Sequence, residues 1–244
     1  MLFFIVEVFW LVFPSDMDYA PIVDVTPQGT STRYFCGPVC DPKSRWHRYS
    51  MLLFICLLTF GSYFCYDNPA ALQDAFLTEL HLTVTQFMNL YAFYSWPNVF
   101  LSFIGGFLID RYIGIRWGAI LFSSIVFIGQ CVFALGAYVS NVPLMYISRL
   151  IFGIGGESLS VVQNAYASAW YTPREVSVVF ALSLSFARIG STVNMNVMRP
   201  IFKAIGKTYQ VTGGAQMGLT LLVASVTCLS SVGCAIALAY FYRR

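Results

Sequence analysis

Charged residues stand inside two stretches that are otherwise largely apolar. Glu157 lies in FGIGGESLSVVQN (residues 152–164), within a run from Val142 to Trp170, and Arg188 lies within a second run from Val176 to Phe202. The turn around Thr172 and Pro173 joins the two runs, and each charge is about 15 residues from it, roughly 23 Å along a helix. A hairpin of two helices therefore sets the carboxylate and the guanidinium at one level. A lone charge at the centre of a bilayer costs about 2.5–3.5 kcal/mol on insertion scales. Two arrangements relieve that cost. In one, Glu157 and Arg188 pair and fix how their helices meet. In the other, they form the anionic and cationic walls of a cavity for a ligand that carries both an amine and a carboxylate. The two are compatible, because a bridge can open to receive such a ligand.

Further polar residues extend this set. Asn164 follows Glu157 by seven residues and shares its helix face. Asp67, ahead of Pro69, stands at one end of an earlier apolar run, either as a guard at the mouth of the cavity or as a solvated helix end, and Tyr63 lies one turn deeper. Arg149 precedes Glu157 by eight residues and is rotated from it by about 80°; it either holds the helix end or joins the charge network.

Other chemistries are poorly supported. The glycines of FGIGGES follow no strand, so they do not form a phosphate-cradling loop, and GESLS departs from G-x-S-x-G at its last position. Glycines inside an apolar run more often let helices approach closely. Of seven cysteines, only Cys36 and Cys40 share a polar segment, and His47 and His81 are far apart, so no metal or other cofactor is expected. No enzymatic activity is expected either.

The elements that hold these residues follow from composition. The chain is 58% hydrophobic and 10% charged, against about 25% charged for a soluble domain. Too little polar surface remains to cover a water-soluble fold. The net charge of +3 is small and the basic residues form no stripe, which excludes a nucleic-acid partner. Apolar runs of about 18 residues or more mark transmembrane helices. Tyr49 to Tyr66, Phe87 to Ile109, Trp117 to Val139, Val142 to Trp170, Val176 to Phe202 and Gly213 to Tyr242 qualify. The expected fold is an all-α membrane protein, a bundle of six transmembrane helices over residues 47–244, embedded in the lipid bilayer.

Lys and Arg in short loops set its orientation. With the N-terminus in the cytosol, the inner side collects Lys43, Arg45, Arg48, Arg111, Arg116, Arg174, Arg243 and Arg244, and the outer side only Arg199, Lys203 and Lys207. Both termini are therefore expected in the cytosol. Residues 1–46 read as a disordered tail with a short apolar start. Leu2 to Phe13 is too short to span and contains Glu7, and Pro14, Pro21, Pro27 and Pro38 follow among polar residues.

Between the second and third runs stands GGFLIDRYIGIRWG. Gly106, Asp110, Arg111, Gly114 and Arg116 resemble the G-x3-D-R-x-G-x-R loop of the major facilitator superfamily, with one extra residue where Tyr112 and Ile113 replace a single position. Arg149 followed by Gly153 and Gly155 resembles that family's R-x3-G-x-G. More narrowly, GSYFCYDNPAALQ, YSWPNV, GIRWG, FGIGGES and ARIGSTVNMN are similar to a branch of lysosomal dipeptide transporters within it.

The resemblance implies twelve helices in two halves with substrate between them. This chain is then equivalent to the N-terminal half. It also implies facilitated, uniporter-like movement of dipeptides out of the lysosome, with Glu157 meeting the α-amino group and Arg188 the α-carboxylate. A heavily glycosylated lysosomal membrane protein is the implied accessory partner, consistent with the absence of any N-x-S/T acceptor from this chain. Asp110 would lock the inner gate across the two halves, so six helices alone are expected not to transport. A truncated isoform acting as an interaction or regulatory subunit, and a half-transporter that homodimerises, are the other readings.

Overall fold

The computed structural model describes the backbone over residues 45–242, and the side chains in that range except those of residues 45–47, 99–106, 108, 110 and 242. The tail expected over residues 1–46, with Cys36 and Cys40, lies almost wholly outside the described residues. Within them every regular element is helical: α1 (Arg45–Leu58), α2 (Phe60–Tyr66), α3 (Asn68–Ala71), α4 (Gln73–Thr78), α5 (Val84–Leu108), a π-helical turn (Ile109–Ile113), α6 (Gly114–Tyr138), α7 (Val142–Trp170), α8 (Pro173–Tyr209) and α9 (Gly213–Tyr242).

Among the described residues, four stretches are long and apolar enough to cross a membrane: Arg48–Tyr66, Arg111–Tyr138, Pro173–Tyr209 and Gly213–Phe241. α5, with 25 residues, and α7, with 29, are about 37 and 43 Å long at 1.5 Å per residue. α7 carries the charges of Arg149 and Glu157, which lower its hydropathy without shortening it.

Local chemistry sets the helix ends. Thr83 and Gln86 open α5 reciprocally: the Thr83 amide donates to Gln86 Oε1 at 3.0 Å, and the Gln86 amide to Thr83 Oγ1 at 3.2 Å. Asn141 Oδ1 accepts from the Leu144 amide at the start of α7. At α8, Glu175 Oε2 accepts from the Thr172 amide and hydroxyl, at 3.0 and 2.8 Å. The same oxygen accepts from Arg48 Nη2 at 2.9 Å, tying the start of α1 to the start of α8. α8 runs past the expected Phe202 to Tyr209, with Pro200 inside it, and ends at a left-handed Gln210.

The additional residue in the loop motif has a structural counterpart. Ile109–Ile113 winds as a π turn, which takes up one more residue than an α turn, and Gly114 beyond it has φ 74°. The chain can reverse there because glycine adopts a left-handed backbone without a Cβ penalty.

In the bundle, α7 packs chiefly on α5 and α6, and α9 on α6 and on the α1–α2 pair, while α8 lies against α1, α2, α3 and α9. α7 and α8 are consecutive in sequence but touch only lightly. α7 reaches instead into the slackened turn between α1 and α2. There Gln163 Nε2 donates to the Ile55 carbonyl at 2.7 Å and Thr59 Oγ1 donates to Gln163 Oε1 at 3.2 Å. A backbone carbonyl freed at such a break must be satisfied from inside the protein when water is absent.

Candidate functional site

Helix α7 presents Gly153, Gly156 and Glu157 toward α5, with Gly156 also facing Ser62 of α2. At Gly153 the two backbones come close: the Tyr94 carbonyl oxygen lies 2.5 Å from where a Cβ would stand. At Gly156 that position is 3.4 Å from both Ser62 Oγ and Tyr94 Oη. The glycines of FGIGG therefore seat Tyr94 of α5 against α7.

One turn further along both helices, Asn98 Nδ2 donates to Glu157 Oε1 at 3.2 Å. Glu157 is half-buried. Tyrosines gather beside it, with Tyr66 and Tyr94 ring centroids 4.6 Å apart, Tyr66 and Tyr91 5.6 Å apart, and Tyr94 backed by Phe152 at 6.0 Å. A carboxylate, several phenols and an amide thus share one wall. That wall can hold an ammonium group by charge and by aromatic faces.

The expected Glu157–Arg188 bridge is not formed. Arg188 is exposed on α8, and its guanidinium makes no hydrogen bond or ion pair among the described residues. Equal depth on consecutive helices did not bring the charges together, because α7 turns its polar face to α5 rather than to α8. Asn164 is exposed, while Tyr63 and Asp67 are half-buried at the end of the first span.

Arg149 is fully buried, 2% exposed. Its guanidinium carbon stands 4.1 Å above the Phe133 ring of α6 and 5.6 Å from that of Phe152. Nε and Nη2 have no hydrogen-bond partner among the described residues. It neither caps the helix end nor pairs with Glu157. In the loop motif Arg111 is exposed and Arg116 half-buried, Gly114 makes the turn, and Gly106 and Asp110 lie outside the residues whose side chains are described.

Asn98 and Tyr94 were not singled out from sequence. The available signal was an amide inside an otherwise charge-free run, immediately after Pro97, with Tyr91, Tyr94 and Asn98 spaced i, i+3, i+7 on one face.

Comparison with known proteins agrees with this architecture. The family model described as Major Facilitator Superfamily matches residues 52–244. The chain belongs to the major facilitator superfamily. It is similar to superfamily members named lysosomal dipeptide transporter MFSD1: 53% identical over 206 residues to the Homo sapiens protein, 50% over 208 to that of Danio rerio and 45% over 206 to that of Gallus gallus. These alignments take in 84–85% of this chain and 41–45% of the relatives. The chain spans a little under half the length of the curated relatives it matches. It is a multi-pass membrane protein of a superfamily whose matched members are named as transporters, not enzymes.

Proposed function

We propose that the six long helical segments, α1 with α2, then α5, α6, α7, α8 and α9, each cross the membrane and form one half of a lysosomal dipeptide transporter. Both termini face the cytosol. Substrate moves by uniporter-like alternating access between this half and a second six-helix unit. Glu157 receives the α-amino group of the peptide and Arg188 its α-carboxylate. Asn164 extends the α7 side of the site, and Tyr63 and Asp67 line the approach from the end of the first span. Asp110, Arg111 and Gly114 belong to the inner gate, and a glycosylated lysosomal membrane protein serves as accessory subunit.

The observation that carries this reading is the half-buried Glu157 carboxylate, held by a neutral amide and flanked by tyrosines. An amide partner, unlike a guanidinium or ammonium, leaves the carboxylate without a protein counter-charge for a cationic ligand to displace. The similarity to proteins named dipeptide transporters supports the choice of ligand.

The test compares a dipeptide with its N-acetylated and C-amidated forms, binding to protein purified in nanodiscs. The unblocked peptide should bind most tightly. Glu157→Gln should abolish the penalty for acetylation, and Arg188→Gln the penalty for amidation. Unchanged peptide affinity in Glu157→Gln would overturn the reading.

A further inference from the structure

The close approach of Tyr94 to Gly153 fixes more than packing. Contacts between α5 and α7 rise together along the two chains: Tyr146 Oη donates to the Gln86 carbonyl at 3.1 Å, Tyr94 meets Gly153, and Asn98 meets Glu157. The helices are parallel, and the last two contacts are spaced by four residues on each. One helical turn beyond the tightest point, the register delivers the Asn98 amide to the Glu157 carboxylate. Pro97, lacking an N–H, removes the α-helical partner of the Phe93 carbonyl just before this point.

Among the described residues Asn98 is the one hydrogen-bond partner of the Glu157 carboxylate. Its character matters. A guanidinium or ammonium would neutralise the carboxylate and have to be displaced by an incoming cation. An amide orients it, occupies one oxygen, Oε1, and leaves Oε2 available without placing a counter-charge beside it.

We propose that Asn98 is the positioning residue of Glu157, holding its carboxylate correctly turned for the ammonium group of the substrate. The assignment of that substrate rests on the function proposed above; the positioning does not.

Dissociation constants for one dipeptide, measured on wild type, Asn98→Leu, Glu157→Gln and the double variant, form a cycle that separates positioning from bulk structure. Asn98→Leu should weaken binding about tenfold, the effect of losing a hydrogen bond to a charged group. It should have no further effect in the Glu157→Gln background, and Asn98→Gln, which keeps an amide donor, should recover part of the loss. Losses that multiply independently would overturn the proposal.

A second cycle needs no peptide. The infrared carboxylate band of Glu157, isolated as the difference between each protein and its Glu157→Gln counterpart, should shift when Asn98 becomes leucine and stay in place in Asn98→Gln. A band unmoved in Asn98→Leu overturns the positioning role whatever the binding data say. A shifted band in a protein whose dipeptide affinity ignores Glu157→Gln supports the positioning role and refutes the proposed substrate instead.

Discussion

The carbonyl oxygen of Tyr94 stands 2.5 Å from the position a Cβ would take at Gly153, closer than any carbon tolerates. Since the obstacle is backbone, a side chain at 153 cannot be relieved by a rotamer change; α5 must move away from α7. Overpacking of this kind costs about 1–3 kcal/mol. Gly153→Ala should therefore lower the thermal unfolding midpoint and weaken peptide binding through the displaced Asn98. Gly233 in α9 is the control: nothing lies within 4 Å of its Cβ position. Gly233→Ala should be neutral or stabilising, because alanine is the better helix former by about 1 kcal/mol. Equal midpoints for the two variants would show that the α5–α7 approach is looser than described.

Gly114 separates backbone strain from crowding. Its φ is 74° and nothing stands within 4 Å of its Cβ position, so a substitution there meets strain alone. Gly114→Ala should cost about 1–2 kcal/mol. Asparagine tolerates the left-handed region better, so Gly114→Asn should cost less than Gly114→Ala in the same unfolding assay. The reverse order would mean that the turn relaxes out of this conformation.

The run of apolar residues made most of the bundle legible. Val142 to Trp170 and Gly213 to Tyr242 coincide with α7 and α9. The differences have local causes. α5 starts at Val84 rather than Phe87, since its start is set by the Thr83–Gln86 pair and not by hydropathy. α8 continues past Phe202 because Lys203 and Lys207, which end the apolar run, are no obstacle to helix formation. The site was legible only in part. Helix rise gives the depth of Glu157 and of Arg188, but not which helix each faces; that depends on packing, which sets α7 against α5. An uncharged residue such as Asn98 does not stand out by charge; only the α5–α7 register at Gly153 sets it against Glu157.

Two ion pairs of similar length should differ in worth. Arg48 and Glu175 meet at 2.9 Å with side chains 19% and 3% exposed, while Arg199 and Asp74 meet at 2.7 Å with side chains 58% and 79% exposed. Removing one partner of a largely buried pair costs about 3–5 kcal/mol at full burial and less where one partner reaches water. Exposed pairs contribute about 0–1 kcal/mol. Glu175→Ala also strips Thr172 of its cap and should lower the unfolding midpoint markedly. Asp74→Ala should leave it within error, and added salt should not distinguish Asp74→Ala from wild type. A comparable loss in both variants would refute this ordering.

Arg149 sets stability against function most sharply. Its guanidinium gains about 2 kcal/mol from a desolvated aromatic face such as that of Phe133. Against this stand the desolvation of a full charge and two nitrogen positions, Nε and Nη2, without a hydrogen-bond partner among the described residues. Replacement of a buried charge by an apolar side chain of similar volume is often neutral or stabilising. Arg149→Met should therefore keep or raise the unfolding midpoint, whereas Arg149→Ala, which leaves a cavity against Phe133 and Phe152, should lower it by the equivalent of about 2–5 kcal/mol. If the charge serves the site, peptide binding should fall in both variants despite their opposite stabilities. A strong loss of stability in Arg149→Met would mean instead that the arginine is held by partners that offset its burial, and that its place in the fold is structural.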